Sequence, residues 1–161
     1  MTINDYNHCV DEYSDSVFRF LLKNTGDAET ARDLVQESFM KMWIKRKEVQ
    51  SEKAKSYLFT TAYHTMIDGL RKNSRMTRME GHEHKTESVD HGYNDLKEVL
   101  EEALTRLPEI QRSVVLLRDY EGYSYEEIGE ITGLNEAQVK VYIYRARVGL
   151  KKYLVSTETV M

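Results

Sequence analysis

The spacing of apolar residues constrains the fold of this chain more than any other feature of its sequence. In successive segments between residues 6 and 150, apolar residues recur every three or four positions, and no unbroken apolar run is longer than four residues, as at residues 114–117. This period places apolar side chains on one face of an α-helix. No segment shows the convincing alternation that a half-buried strand requires. The chain is therefore predicted to be all-helical, with each helix burying a single stripe.

Three helices are predicted in the N-terminal half. The first ends at Gly26, which suits the left-handed turn after a helix, and Asp27 then caps the second. The third runs from about Ala54 to Asn73. The inward residues of the first helix are predicted to be Tyr6, Val10, Tyr13, Val17 and Leu21, and those of the third are predicted to be Leu58, Ala62, Met66 and Leu70. Cys9 is the only cysteine, so we expect no disulfide, a buried thiol and a reducing compartment.

Residues 74–95 interrupt the helical period. The stretch is polar, contains two glycines and has no apolar stripe, which is typical of a flexible linker. The alternative is a metal site at His82, His84 and His91, but no cysteine stands at ligand spacing to them. A solvated tether is therefore preferred, and no metal or cofactor is predicted. The sequence thus predicts one domain over residues 1–73, a second over residues 96–155, and a tail over residues 156–161.

The C-terminal half carries strong local signals for a helix-turn-helix. Ser124 and Glu127 have the spacing of a capping box that begins a short helix. Residues 133–134 make a tight turn, and Asn135 caps a longer helix with Gln138 in the reciprocal position. Two helices joined by such a turn are typical of DNA-binding proteins, in which the second helix enters the major groove.

The second helix of this motif has two contrasting faces. On a helical wheel of about 100° per residue, the inward side is formed by Val139, Ile143, Ala146 and Leu150. The opposite face carries cations beside exposed apolar groups, which is unusual for a solvated surface and suits the phosphates, base edges and thymine methyls of the major groove. The candidate residues for contact with duplex DNA are Gln138, Lys140, Val141, Tyr144, Arg145 and Arg147.

The net charge of −4 hides two basic segments. Residues 41–79 carry ten basic and three acidic side chains, residues 137–161 carry five and one, and the rest of the chain is acidic. A solvated helical surface would intersperse the two signs. The separated basic segments indicate two nucleic-acid contacts, with acidic surface left for protein partners.

Motifs in both halves resemble the sigma subunits of bacterial RNA polymerase, specifically the extracytoplasmic-function group. In the C-terminal half the resemblance rests on residues 107–108, 111–112, 120–128 and 139–150. In the N-terminal half it rests on residues 33–39 with Trp43, and on residues 57–59 and 67–72. Both halves occur in the family's order and together cover nearly the whole chain. The resemblance implies two small helical domains, one like sigma region 2 and one like the helix-turn-helix of sigma region 4, joined by a flexible linker.

The resemblance also implies functional roles. Asp33, Gln36, Glu37 and Trp43 would lie on a helix that binds the core polymerase. Residues from about 46 to 72 would capture the non-template strand of the opened downstream (−10) element, and the recognition helix would bind the upstream (−35) element as duplex. The implied partners are core RNA polymerase, promoter DNA and an anti-sigma factor, and the implied place of action is the cytoplasm.

The predicted strand-capturing surface combines aromatic rings with cations. Opening DNA costs a few kcal/mol per unstacked step, so this surface must offer stacking faces beside phosphate contacts. The candidate rings are Tyr57 and Tyr63, with Phe59 preferred as a core residue. The other candidates are Lys53, Lys55, His64, Arg71, Lys72 and Arg75. Because the family often has Asn at His64 and Ser-Arg at residues 141–142, its usual promoter preference is not transferred to this chain.

Three other classes of protein are possible alternatives. A helix-turn-helix regulator outside the polymerase would be expected to carry a sensing or dimerising domain in place of the basic N-terminal helix. A recombinase or nuclease needs clustered carboxylates or an activated Ser or Tyr; the acidic residues here fall on caps, exposed faces and the linker, so no enzymatic activity is predicted. A structural adaptor leaves both basic segments unexplained. The short apolar runs predict neither a membrane span nor a secretory signal.

Overall fold

The computed structural model describes the backbone of residues 1–80 and 95–160, and the side chains of residues 1–72 and 96–156. All regular structure in these ranges is helical. The prediction of an all-helical fold is therefore confirmed. The chain divides into two compact units, residues 1–86 and residues 87–161, and each is described by itself.

The N-terminal unit contains three α-helices within the described residues. Helix α1 spans Ile3–Thr25, α2 spans Ala28–Ile44 and α3 spans Ala54–Glu80, with a single 3₁₀ turn at Ser51–Lys53 before α3. Gly26 ends α1 with a φ of 71°, and the carboxylate of Asp27 accepts a hydrogen bond from the backbone N–H of Glu29 at 3.1 Å. Both predicted helix boundaries at this turn are confirmed.

The core of this unit lies between the three helices. Its fully buried apolar residues include Val17, Phe20, Leu21, Ala31, Met42, Leu58, Phe59, Ala62 and Met66. The rings of Phe20 and Phe59 meet edge to face with their centroids 5.6 Å apart. Cys9 is buried as predicted, whereas Leu70 is 39% exposed and was wrongly predicted to face inward. The buried stripe of α3 ends at Met66, so Leu70 lies beyond the part of α3 that is covered by the neighbouring helices.

The ends of the predicted linker and tail differ from the structure. Helix α3 continues to Glu80, past the predicted end at Asn73, because residues 74–80 contain no glycine or proline and include two methionines, which favour a helix. Helix α7 runs through most of the predicted tail, to Val160. Residues 81–94, which include His82, His84 and His91, lie outside the described residues.

The C-terminal unit contains four α-helices within its described part. Helix α4 spans Asp95–Arg106, α5 spans Glu109–Val115, α6 spans Tyr125–Thr132 and α7 spans Glu136–Val160. One π-helical turn, Leu116–Tyr120, follows α5 directly and is referred to below as the π turn. The core residues of this unit include Leu104, Val114, Leu117, Ile128, Ile131, Val139, Ile143 and Ala146.

Helices α6 and α7 form the predicted helix-turn-helix. The capping box at Ser124 is present, since its hydroxyl oxygen accepts from the backbone N–H of Glu127 at 3.1 Å and the Glu127 carboxylate accepts from Ser124 N–H at 3.0 Å. Gly133 has a φ of 83°, which favours glycine. Asn135 and Gln138 exchange the predicted reciprocal bonds, at 2.8 and 3.0 Å. Local sequence rules therefore predicted this motif correctly.

Candidate nucleic-acid and protein interfaces

Helix α7 presents one face to the core and the other to solvent. Val139, Ile143 and Ala146 are buried, as predicted. On the opposite side, Tyr144 is 69% exposed and Val141 is 45% exposed, and exposed cations stand beside them at residues 140 and 145. The predicted combination of cations with exposed apolar groups is thus present on this face, which is referred to below as the recognition face.

Two of the predicted duplex-contacting residues are engaged within their own unit. The side-chain oxygen of Gln138 accepts the backbone N–H of Asn135. The guanidinium of Arg147 makes a two-pronged ion pair with the Asp119 carboxylate of the π turn, with Nη2–Oδ1 and Nε–Oδ2 distances of 2.6 and 3.1 Å. The hydrogen bonds to Asp119 raise the pKa of Arg147. Arg147 therefore ties α7 to the π turn, a role that sequence reasoning missed.

Lys140 lies at the border between the packed and exposed faces of α7. Its Nζ lies 3.4 Å from a carboxylate oxygen of Glu136 and 5.6 Å from the ring centroid of Tyr125, the first residue of α6. The guanidinium carbon of Arg118 lies 4.5 Å from the same centroid. Residues 118, 125 and 140 come from three different elements, so only the packing of the unit brings this cluster together.

The predicted strand-capturing residues do not all share one surface. Tyr57, His64 and Arg71 recur every seven residues on one face of α3, which spans about 21 Å between the first and the last. Tyr57 is half-buried, and His64 and Arg71 are exposed. Lys72 is also exposed, and Lys53 is exposed in the 3₁₀ turn just before α3. The face formed by Tyr57, His64 and Arg71 is referred to below as the α3 face.

Two of the predicted strand-capturing residues lie elsewhere. Tyr63 is only 6% exposed, so its ring cannot stack on a base, and its centroid lies 5.2 Å from the His64 ring instead. Lys55 is half-buried and lies about 160° around the helix from Tyr57. The preference for Phe59 as a core residue is confirmed. Arg75 lies outside the described side chains.

A shallow groove adjoins the start of α3 and was not predicted from the sequence. Tyr57 and Lys53 form one part of its lining. The remaining lining residues are Lys45, Glu48, Val49 and Gln50. The groove places a partly exposed ring beside two ammonium groups, which are the groups that single-stranded nucleic acid requires.

One face of α2 combines exposed acidic, amide and apolar side chains. The predicted polymerase-binding residues Asp33, Gln36 and Trp43 are exposed, and Glu37 is half-buried. Helical geometry places them on the same side of α2 as Met40 and Ile44, which are 57% and 69% exposed. These six residues are referred to below as the α2 face. Sequence reasoning missed Met40 and Ile44, although apolar residues outside the inward stripe could have indicated them.

The ring of Trp43 is held in place by its neighbours. The Tyr6 ring packs against it at a centroid distance of 4.9 Å, and the Arg46 guanidinium lies 3.9 Å from its centroid. Arg46 Nη1 also donates to the backbone oxygen of Trp43 at 2.9 Å, and the Tyr6 hydroxyl donates to the backbone oxygen of Phe39 at 2.9 Å. An exposed but fixed indole loses little conformational entropy when a partner covers it.

Neither a membrane-spanning helix nor a metal-binding cluster occurs in the described part of the chain. None of the helices there is long and apolar enough to cross a membrane. The described residues likewise contain no cluster of three or more His, Cys, Asp or Glu side chains suited to holding a metal ion.

The helix-turn-helix, with cations and apolar groups on the exposed side of α7, is typical of DNA-binding transcription proteins. Comparison with known proteins narrows this class. Residues 9–76 match the family model for Sigma-70 region 2, and residues 97–150 match that for Sigma-70, region 4. The ECF RNA polymerase sigma factor SigM of Bacillus subtilis is 32% identical over 145 residues, which cover 86% of this chain and 88% of that protein. SigV of the same organism is also 32% identical, over 86% of this chain and 84% of the relative.

A solved structure agrees with these relatives. The sigma factor RpoE, in complex with the anti-sigma factor NepR from Bartonella quintana, matches with a TM-score of 0.85 and 25% identity, covering 94% of this chain and 98% of that one. This chain therefore belongs to the extracytoplasmic-function group of RNA polymerase sigma factors. Membership assigns it to promoter-directed initiation of transcription through binding of core RNA polymerase, a regulatory role rather than an enzymatic one.

Proposed function

We propose that this sigma factor recognises promoters through two separate surfaces. The recognition face of α7 binds the −35 element as duplex, and the α3 face binds the non-template strand of the melted −10 element. The observation that carries the proposal is that exposed cations on both faces stand beside rings or apolar groups that remain accessible to solvent. Such groups are available to thymine methyls on duplex DNA and to unstacked bases on a single strand.

The recognition face has the composition and the support that a major-groove helix requires. Its cations are suited to phosphates and guanine edges, and Val141 and Tyr144 offer apolar contact. The reciprocal cap at Asn135, the turn at Gly133 and the Arg147–Asp119 ion pair fix the direction of α7 within its unit. A rigidly supported helix can place side chains against base edges without a large loss of entropy on binding.

The α3 face and its adjoining groove suit an opened strand better than a duplex. Tyr57 offers a ring for stacking, and Lys53 and Arg71 offer charges for phosphates along the same side of the unit. His64 stands between them as an exposed side chain that can donate a hydrogen bond to a base or accept one from it. Because Tyr63 is buried, Tyr57 is the one of the two candidate tyrosine rings that remains available for stacking.

The α2 face is proposed as the surface that binds core polymerase. Clustered exposed Met40, Trp43 and Ile44 mark a protein interface, and tryptophan is enriched among the residues that dominate binding energy. Asp33 and Glu37 add charge that can select a basic partner. An anti-sigma factor is proposed as a further partner because the similar RpoE was solved in complex with one. The proposed place of action is the cytoplasm.

A pair of substitutions tests the division between the two DNA contacts. Arg145→Ala removes an exposed side chain, so the free energy of unfolding should change by no more than about 0.5 kcal/mol. Binding of the full chain to duplex −35 DNA should weaken by about 1–3 kcal/mol if Arg145 contacts a base edge. Arg71→Ala should leave duplex binding unchanged and reduce the permanganate reactivity of promoter thymines in the presence of core polymerase.

Lys97→Ala is a matched control, since it removes an exposed cation from α4 of the same unit. It should leave duplex binding unchanged. Duplex binding by Arg145→Ala equal to that of wild type would remove Arg145 from the proposed recognition face. Normal thymine reactivity with Arg71→Ala would remove Arg71 from the proposed melting surface.

A further inference from the structure

Tyr125 occupies a junction between three elements of the C-terminal unit. It is the first residue of α6, directly after the cap at Ser124, and its ring is half-buried. The guanidinium carbon of Arg118, from the π turn, lies 4.5 Å from the ring centroid, and the Nζ of Lys140, from α7, lies 5.6 Å from it. Both distances are within the range in which a cation is attracted to the face of an aromatic ring.

Arg118 is fixed by the protein, so it can fix the ring. Its Nη1 donates to the backbone oxygen of Tyr123 at 2.9 Å, in the segment that leads into α6. The π turn that carries Arg118 is closed by hydrogen bonds from Glu121 N–H to Leu116 and from Tyr123 N–H to Leu117, at 3.1 and 3.0 Å. The Tyr125 ring therefore rests against a cation whose own position is set by the backbone.

Lys140 has weaker constraints. Its ion pair with Glu136 is exposed on both sides, and such pairs on a helix surface fix a side chain only weakly. A lysine side chain is flexible and loses rotamer entropy when a partner immobilises it. The Tyr125 ring adds a second constraint, from a different helix, on the direction of the ammonium group.

We propose that Tyr125 is a positioning residue that holds the Lys140 ammonium group at the edge of the recognition face, ready to contact a phosphate of duplex DNA. The inference rests on the proposed function of α7. Attraction between the Lys140 ammonium group and the Tyr125 ring restricts the Lys140 side chain before DNA binds, so less side-chain entropy is lost on binding. The hydroxyl of Tyr125 also interacts with Arg147, so the contributions of the ring and the hydroxyl have to be separated.

Affinity of the full chain for a short duplex, selected from a random library by the same full chain, measures this role. Tyr125→Leu should weaken binding about two- to five-fold, the range expected for an exposed cation–ring contact, and Tyr125→Phe should retain wild-type affinity because it keeps the ring. Replacement of Tyr125 with pentafluorophenylalanine preserves the shape of the ring but reverses its charge distribution, so it should weaken binding as the leucine variant does.

Double-mutant cycles give the sharpest readout, because a purely structural loss would be additive. The fold-loss of duplex affinity caused by Lys140→Ala should be about two to five times smaller in the Tyr125→Leu background than in the wild-type background. Arg145→Ala should cost the same in both backgrounds, since the Arg145 guanidinium lies near Tyr142, at 5.9 Å from its ring. Tyr153→Leu removes the ring that faces Arg106 at 4.8 Å in the same unit and should leave duplex affinity unchanged.

The outcomes separate the two proposals. Unchanged affinity in both Lys140→Ala and Arg145→Ala would refute the proposed function of α7 and the positioning role with it. Loss of affinity in Arg145→Ala, combined with additivity of Tyr125→Leu and Lys140→Ala, would refute only the positioning role. Full affinity of the pentafluorophenylalanine variant would refute it as well, and this result does not depend on how the leucine variant folds.

Discussion

Gly129 determines how closely the turn of the helix-turn-helix can approach α6. A Cβ atom at this position would lie 2.8 Å from the backbone oxygen of Leu134. That oxygen belongs to the turn that leads into the cap at Asn135, so it cannot rotate away like the end of a flexible side chain. Gly129→Ala should therefore displace the turn, and with it the start of α7.

The size of the effect follows from two opposing terms. Alanine is better than glycine inside a helix by about 0.5–1 kcal/mol. Forcing an extra carbon into a closely packed site costs about 1–3 kcal/mol. The second term is the larger one here because the obstructing atom is backbone, so Gly129→Ala should lower the free energy of unfolding of its unit by about 1–2 kcal/mol.

Gly69→Ala is the matched control, because Gly69 also lies inside a helix but a Cβ atom there would meet no neighbouring group within 4 Å among the described residues. It should gain about 0.5–1 kcal/mol from helix propensity alone. Chemical denaturation of the full chain distinguishes the two, since Trp43 is the only tryptophan and reports on the N-terminal unit. Tryptophan fluorescence should report the increased stability of the N-terminal unit in Gly69→Ala, whereas circular dichroism should report the decreased stability of the C-terminal unit in Gly129→Ala.

Gly129→Ala should also weaken duplex binding, since the turn sets the direction of α7. An alanine variant at least as stable as wild type, with unchanged duplex affinity, would refute the reasoning. It would mean that the turn relaxes at no cost and that the close approach at Leu134 has no part in placing the recognition helix.

Three further predictions concern the other interfaces and caps. Asp33→Lys should leave the free energy of unfolding unchanged but weaken binding to core polymerase, by about 2–5 kcal/mol if the contact is buried. The control Asp11→Lys, on α1, should not weaken this binding. If a fluorescence titration gives Asp33→Lys the same affinity for core polymerase as wild type, Asp33 lies outside the interface. Ser124→Ala should lower the free energy of unfolding of the C-terminal unit by about 0.5–2 kcal/mol in denaturant titrations. Hydrogen bonds from the Thr30 hydroxyl and nearby backbone N–H groups hold the pKa of Asp27 below its usual value, so its contribution to stability should be lost as pH falls below about 4. Asp27→Asn keeps the cap and should reduce this dependence in thermal unfolding measured against pH.

Local rules predicted the helix caps well. The boundaries at Gly26, Asp27, Ser124 and Asn135 each depend on a few neighbouring residues, which the sequence displays directly. The inward stripe of α7 follows from the helical period in the same way. Gly129 shows the limit of such rules: its small size was a visible signal, but the atom that requires it, the Leu134 oxygen, became apparent only in the structure.

Most of the errors have a common physical origin in packing. Tyr63 has the composition of a stacking residue, but its burial depends on where α1 and α2 cover α3. Leu70 has the period of a core residue, but it lies past the covered part of α3. The Arg147–Asp119 pair joins residues 28 positions apart, so no local pattern predicts it. Helix α3 extends beyond Asn73 because polarity alone does not end a helix when no glycine or proline intervenes.

Run-off transcription with core polymerase on a library of random promoters tests the central claim most directly. The wild-type chain should enrich a promoter with two separated elements. Arg145→Ala should relax the base preference at one position of the upstream element, and Arg71→Ala should reduce transcript yield without changing that preference. A wild-type chain that gives no promoter-dependent transcript, or an Arg145→Ala variant in which both the transcript yield and the upstream preference equal those of wild type, would contradict the account.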